Sequence, residues 1–386
     1  MQISLFDGNN KFKIDKPIRL IELFAGYGSQ HFALEYLGVQ FESWKICEWA
    51  VKSIQAYKDA HFKDDKKDYS QGISKKDIIQ YLFDKHISMN YNEPMTYNQI
   101  KRLGEDRQRT IYNNIKATNN LVDIQQVKGK DFEIVDADKY CYMMTYSFPC
   151  QDLSSAGLGK GMEKGSGTRS GMLWEVERII DELKEENREL PQVLIMENVP
   201  EVIGVKNVKH FAKWLEKLEQ LGYKNKFKCL NASDYKVPQS RDRCFMVSIL
   251  GDYWYNFPKE EKLELKLKDL LEENVNEKYY LSEKQISYIV DLQDVALRSG
   301  RDIQKSKINS SIAKTISCRG AAEQRADVTN YVIDGFNEEI SVKELKQNLK
   351  QTLCNKLIQE GLVKEGDVIR HSYSNNRLNN GKKKYG

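Results

Sequence analysis

The chain has 386 residues, 40% hydrophobic and 30% charged, with a formal net charge of +4, which suffices for one large core plus a smaller domain and excludes a disordered chain. So small a net charge means that affinity for an anionic partner must come from local arrangement. Seven scattered cysteines (47, 141, 150, 229, 244, 318, 354) without a C-x-x-C pair argue against a disulfide framework or a metal site and for a reducing cytoplasm; no run reaches the roughly 18–20 apolar residues of a membrane helix, and residues 1–16 lack a signal-peptide core.

In chain order, residues 18–24 read as a buried strand that breaks into Ala25-Gly26-Tyr27-Gly28-Ser29-Gln30 and an amphipathic helix over 31–37 ending at Gly38. Residues 43–47 form a second strand ending in Glu48-Trp49, and 50–60 a helix. Residues 61–120 are polar, with helical patterns at 75–83 and 97–115, and read as an insertion beside the sheet. Asp123-Ile124 closes a short third strand, and 142–147 is the fourth. A helix at 173–186, a strand at 193–196, a helix at 210–221 capped by Gly222, and strands at 226–231 and 244–250 complete the pattern. Strands alternating with helices predict an α/β fold, a doubly wound, mostly parallel Rossmann-like sheet with an antiparallel edge pair. The catalytic and cofactor-binding part is expected over 1–257. Residues 258–386 read as a smaller, irregular domain, with helices at 262–272, 282–292 and 342–360.

Several clusters sit where strands end. Glycines in Phe24-Ala25-Gly26-Tyr27-Gly28 let a ligand approach the backbone closely. Ser29-Gln30 stand where a dinucleotide fingerprint would carry its third glycine, which favours another nucleoside-type cofactor. Glu48 is suited to ribose hydroxyls, Trp49 to an adenine face and Asp123 to the adenine amine. Taken singly, each reads better as an ordinary turn, cap or core residue; order and spacing together favour a site.

Phe148-Pro149-Cys150-Gln151 places a thiol on a Pro-stiffened polar loop after a strand, a suitable setting for a nucleophile activated by nearby positive charge, with Arg241 and Arg243 as candidates. Cys141, Cys229 and Cys244 read instead as small buried hydrophobes. Glu197 ends an apolar strand, and burial there would raise its pKa and suit it to donate a proton; on its own it reads equally as a structural carboxylate holding Asn198 or a neighbouring loop. In Gln239-x-Arg241-x-Arg243 an extended segment puts all three side chains on one face. Residues 157–171, with Lys160, Lys164 and Arg169, read as a glycine-rich basic loop able to close over a phosphate backbone.

Assembled, these motifs resemble bacterial C5-cytosine DNA methyltransferases from about residue 18 to 250. The matching elements, in uninterrupted order, are residues 24–28, Glu48-Trp49, Asp123-Ile124, Pro149-Cys150-Gln151, Gly171-Met172-Leu173-Trp174, Glu197-Asn198-Val199 and residues 239–243. The resemblance implies S-adenosylmethionine as cofactor, held by Phe24, Ala25, Gly26, Tyr27, Gly28, Glu48, Trp49, Asp123, Ile124, Pro149 and Leu173. It further implies double-stranded DNA as partner and a cytosine flipped into the crevice. Cys150 would attack C6, Glu197 would bond N3 and the amine, Arg241 would contact O2 and the Phe148 carbonyl the amine. Gln151, Ser154, Arg169, Asn198, Gln239, Arg243 and Arg319 would complete the DNA contacts.

The C-terminus departs from that family pattern. Neither its Arg-Leu-Thr-x-x-Glu-like motif nor its Gly-Asn motif precedes Gly386, which leaves a second polypeptide, truncation or divergent substitutes to supply them. Residues 258–380 resemble a target-recognition region, with 314–320 and 371–377 as polar loops able to read base edges. An RNA C5 methyltransferase and a catalytically silent DNA-binding remnant are the competing readings.

Overall fold

Three strands with nearly continuous apolar sequence, IRLIEL, CYMMTY and VLIMEN, form the centre of the molecule, because a strand covered on both faces has no polar side to show. The computed structural model describes residues 12–150, 153, 161–165, 169–282, 307–315, 330–333, 339–345, 347–349 and 359. It divides into one unit of residues 1–230 and 242–258 and another of 231–241 and 259–386.

In the first unit the elements are β1 (Ile18–Leu23), α1 (Ser29–Leu37), β2 (Phe41–Cys47), α2 (Val51–His61), α3 (Lys75–Asp84), α4 (Tyr97–Lys101), α5 (Glu105–Ala117), β3 (Cys141–Tyr146), α6 (Leu173–Glu185), β4 (Val193–Asn198), α7 (Val208–Gln220), β5 (Tyr223–Asn231, its last residue grouping with the second unit) and β7 (Asp242–Leu250). The six strands lie in the order β2-β1-β3-β4-β7-β5. β2, β1, β3 and β4 are mutually parallel, and β7 runs antiparallel to β4. The doubly wound sheet with an antiparallel edge is therefore as the sequence predicts.

The alternation of side chains divides the strands between two faces. Ile21, Leu23, Tyr142, Met144, Tyr146, Leu194 and Met196 pack with Val176, Ile179, Ile180 and Leu183 of α6 and Phe211, Trp214 and Leu218 of α7. Ile18, Leu20, Cys141, Met143 and Val193 turn the other way and pack with Leu34 of α1. The i, i+3, i+4, i+7 spacing on α6 is what makes that helix dock, each buried aliphatic contributing about 1.5–3 kcal/mol.

Residues 61–120, read from sequence as a polar insertion, carry a core of their own: Val51 and Ile54 of α2 pack with Ile78, Ile79, Leu82, Ile100, Ile111 and Ile115. The single helix expected over 97–115 is two, α4 and α5, separated at Gly104, whose φ of 73° leaves the helical region. The third strand expected at Asp123-Ile124 does not form. A lone bridge joins Ile46 to Asn120, and the chain then turns, because Asp123 spends one carboxylate oxygen on the Gln125 N–H.

In the second unit, β6 (Gln239–Ser240) pairs in parallel with β9 (Ala313–Lys314), and β8 (Lys307–Ile308) pairs antiparallel with β10 (Ile340–Ser341). Ile308, Ile340 and Val342 form a small apolar cluster with Leu281, Tyr331, Ile333 and Leu345. The helix expected over 262–272 is reduced to one 3-10 turn at Leu267–Leu270. Residues 283–292 lie outside the described residues, as does most of 342–360 beyond residue 349. No helix among the described residues is long and apolar enough to cross a membrane.

Candidate active site

Strand register determines what one rim of the sheet carries. Leu23 lies beside both Cys47 and Tyr146, and Tyr146 beside Met196, so the segments after β1, β2, β3 and β4 all leave at the same edge. Antiparallel β7 begins at that edge, with Cys244 opposite Asn198. Residues 24–28, 48–49, 148–150, 197–198 and 243 therefore share the carboxyl ends of the parallel strands. β1 sits between β2 and β3, so the connections reverse direction there, the place where open α/β sheets bind ligands.

On the β1–β2 side the turn is built tightly. Phe24 adopts a left-handed φ of 57°, Gly26 58° and Gly28 81°. A Cβ on Gly28 would stand 2.3 Å from His61 Nε2 and 2.7 Å from the Tyr57 ring, whereas one on Gly26 would meet nothing within 4 Å. Gly28 thus keeps the turn against its support, and Gly26 leaves its outer side open. Glu48 is buried and fixed by amides: the Gly26 N–H donates to its Oε2 at 3.0 Å and the Ala50 N–H to its Oε1 at 2.7 Å. Burial pushes its pKa up to about 7 despite the hydrogen bonds from the Ala50, Gly26 and Trp49 amides that favour the charged form. Each carboxylate oxygen keeps lone-pair capacity for a further donor.

Asp123 is also buried, and its Oδ2 lies 3.0 Å from His86 Nδ1. His86 comes from the insertion and escaped the sequence reading, since no motif marks it; it has a left-handed φ of 55°. The segment after Asp123 is tied to α6, where Arg178 Nη2 donates to the carbonyls of Ile124 and Val127, both at 2.9 Å. Leu173, at the head of α6, is fully buried, as are Ile124 and Ala25 nearly so; Trp49 is half-buried and Tyr27 exposed. Two buried carboxylates among aliphatic and aromatic side chains suit a ribose diol and an adenine, and so fit a nucleoside cofactor.

On the β3–β4 side, the turn after β3 is clamped from beneath. Asn198 Nδ2 donates to the Phe148 carbonyl at 2.9 Å, and its Oδ1 accepts the Val199 N–H at 2.9 Å. Buried Ser170 donates its hydroxyl to the Pro149 carbonyl at 2.8 Å, and the Leu153 N–H donates to the Cys150 carbonyl at 3.0 Å. Cys150 itself is half-buried. Cys47, Cys141 and Cys244 are buried, and burial pushes the thiols of Cys141 and Cys244 up to about 11 and 12. Cys229, expected as a buried hydrophobe, is exposed on β5, an outer strand of the sheet.

Glu197 does not lie in a wholly apolar setting. Arg243 Nε donates to its Oε1 at 2.8 Å, with both side chains about one-fifth exposed. The pairing follows from register: Glu197 faces Phe245, so Arg243 is its diagonal neighbour on the same face of the antiparallel pair. The uninterrupted extended run expected over 239–243 is broken. β6 pairs with β9 and β7 with β4, and Arg241 lies between them, its N–H donating to Asn231 Oδ1 at 3.3 Å and its carbonyl accepting the Ala232 N–H at 3.1 Å. Gln239 and Arg241 group with the second unit and Arg243 with the first. Lys164, expected on a phosphate-closing loop, pairs with Glu177 of α6 at 2.7 Å. Arg169 opens a 3-10 turn ending at Met172. Gln151, Ser154, Lys160 and Arg319 lie outside the described residues, and so does most of the loop over 314–320 and all of 371–377.

Residues 99–378 match the family described as C-5 cytosine-specific DNA methylase. The chain is similar to the orphan methyltransferase M.SssI of Spiroplasma monobiae, 38% identical over 271 residues that cover 69% of this chain and 68% of that protein. It is also similar to the type II methyltransferase M2.ScrFI of Lactococcus lactis subsp. cremoris, 37% identical over 283 residues covering 72% and 74%. The match runs well into the C-terminal part, and nothing in it supports the second polypeptide that the missing motifs suggested. By these matches the chain belongs to the C-5 cytosine-specific DNA methylases, enzymes that transfer a methyl group from S-adenosylmethionine to C5 of cytosine in DNA.

Proposed function

We propose that this chain methylates a cytosine flipped out of duplex DNA through a covalent adduct to Cys150, with S-adenosylmethionine held by residues 24–28, 48–49, 123–124 and 173. The observation that carries the reading is a rim on which a clamped, half-buried thiol turn and the Glu197–Arg243 pair stand beside the Gly26–Glu48 turn. A stacked cytosine hides its ring atoms, so the base must leave the helix to reach that rim. Cys150 Sγ bonds to C6, and the displaced electron pair builds up toward C5. Glu197 hydrogen-bonds N3 and the exocyclic amine and offsets the charge on the ring. The cofactor, when bound, supplies an electrophilic methyl group on a sulfonium centre. Loss of the C5 proton to solvent and cleavage of the S–C6 bond restore the ring and free Cys150.

Arg243 is the guanidinium that holds Glu197, so it takes the place beside the base first given to Arg241. The Phe148 carbonyl accepts from Asn198 and keeps a second lone pair for the cytosine amine. Gln239 and Arg241, with Gln151, Ser154, Arg169 and Arg319, remain assigned to DNA. Marking DNA in the bacterial cytoplasm, in a restriction-modification or phage setting, is the role assigned here; the type II name of M2.ScrFI accords with restriction-modification, whereas M.SssI is named an orphan methyltransferase.

Duplex DNA carrying 5-fluorocytosine tests this, because fluorine at C5 blocks the proton loss that releases the enzyme. With S-adenosylmethionine present, a denaturation-resistant complex should form, and Cys150→Ser should abolish it. A complex with transfer RNA alone would turn the reading to an RNA enzyme. DNA binding with no complex of either kind would leave a silent DNA-binding protein.

A further inference from the structure

Behind the Gly26–Gly28 turn lies a cluster that the methyl-transfer chemistry does not use. His31 and Glu35 stand one turn apart on α1, which places both on one face of the helix, and His61 is the last residue of α2. One ligating atom from each of the three lies within 4.8 Å of the others. The geometry points to a binding site for one borderline divalent transition ion, of the zinc or cobalt(II) kind, formed by His31, Glu35 and His61.

An outer partner faces one nitrogen of each ring. Tyr57 hydroxyl donates its only proton to Glu22 Oε2 at 2.5 Å. His31 Nδ1 lies 3.4 Å from the same hydroxyl oxygen, which leaves Nε2 as the nitrogen that faces Glu35. That Nε2 lies 3.3 Å from Glu35 Oε1. His61 Nε2 lies 2.8 Å from the Tyr27 carbonyl, which can only accept, so its proton is on Nε2 and its lone pair on Nδ1. His61 Nδ1 is buried with no hydrogen-bond partner among the described residues. Metal-bound imidazoles characteristically donate their other N–H to a carbonyl or another acceptor, and here His61 Nε2 faces the Tyr27 carbonyl and His31 Nδ1 the Tyr57 hydroxyl.

Two imidazoles and one carboxylate are a donor set for zinc-like ions rather than for magnesium or calcium, which take oxygen ligands. Ligands at about 2.0–2.1 Å from a tetrahedral ion stand about 3.4 Å from one another, so the cluster must contract by about an ångström. Glu35, with a side chain 46% exposed, is free to make that movement. The rings stack at 3.9 Å between centroids, and two imidazolium ions so close would repel.

The test uses the full chain, freed of metal with a chelator and titrated with cobalt(II) while visible absorption and heat are followed. One ion per chain should bind, with the intense visible bands of a low-symmetry site. Glu35→Gln and His61→Asn should each weaken binding at least about tenfold, with far-UV circular dichroism showing that each variant is folded. Zinc should displace the cobalt bands. No saturable binding, or binding that persists in the Glu35→Gln, His61→Asn double variant, would overturn the proposal. Because the readout needs neither DNA nor methyl transfer, its failure would leave the catalytic reading untouched.

Discussion

Arg243 Nε stands 2.8 Å from Glu197 Oε1, as diagonal neighbours across the antiparallel pair β4–β7. Removing the guanidinium strips a charge-assisted hydrogen bond worth about 1.5–3 kcal/mol from a half-buried carboxylate. Arg243→Ala should therefore lower kcat/KM by about 10- to 150-fold. Arg241→Ala should mainly weaken DNA binding and leave single-turnover methyl transfer within about threefold at saturating DNA. Steady-state and single-turnover assays on the two variants check this, and equal loss of the chemical step in both would remove the distinction.

Glu48 carries a pH signature. With its pKa at about 7 in the folded chain, above the ordinary value of 4.5, it favours folding in its protonated form. That contribution is fully present below pH 4.5 and is lost as pH rises through 7. In the proposed role of Glu48, cofactor binding has the opposite slope, because the ionised carboxylate is the better acceptor for a ribose diol. About a tenth of Glu48 is ionised at pH 6 and nine-tenths at pH 8, so S-adenosylmethionine should bind about ninefold more tightly at pH 8. Calorimetry at the two pH values, on wild type and Glu48→Gln, measures it; a slope that survives in the variant belongs to another group.

Asn198 holds the turn that carries the proposed nucleophile by donating to the Phe148 carbonyl. Asn198→Ala leaves that carbonyl and the Val199 N–H without their partner in a buried setting and should cost about 1–3 kcal/mol of stability. Activity should fall further than stability explains, since the Cys150 turn loses its support. Denaturant melts and turnover, measured at a temperature where the variant is fully folded, separate the two effects.

Thiol labelling ranks the cysteines. Cys47, Cys141 and Cys244 are buried, and burial raises their thiol pKa, so iodoacetamide at pH 8 should leave them unmodified in the native chain. Among the described cysteines, Cys150 and exposed Cys229 should react, and bound duplex DNA should protect Cys150 but not Cys229. Peptide mapping by mass spectrometry reads the outcome.

The proposed DNA interface, taken to engage phosphates through Arg169, Arg241 and Arg319, predicts steep salt dependence. Affinity for duplex DNA should fall by about 0.9 log units per contacted phosphate for each tenfold rise in salt. Fluorescence anisotropy over a salt series gives the slope, and each arginine changed to alanine should reduce it by about one contact.

Much of this protein was legible in its residues. Near-continuous apolar strands alternating with amphipathic helices can bury their surfaces only as a covered parallel sheet, and residues 24–28, Glu48-Trp49, Pro149-Cys150 and Glu197-Asn198 fall at strand ends in every reading of that pattern. Local composition was less informative where turns decide. Asp123 looked like a strand end, yet its side chain serves the backbone of the turn after it. The alternation of Gln239, Arg241 and Arg243 suggested one shared face, yet β6 and β7 take different partners.

Tertiary structure alone decided which side chains meet. The register of β4 with β7 selects Arg243 for Glu197, because a one-residue slip would send that arginine to the opposite face. His86 reaches Asp123 from 37 residues away, and His31 stacks on His61 from a different helix. Spacing along a chain reveals periodic faces, whereas contacts between elements depend on how those faces dock, and docking is set by packing across the whole core.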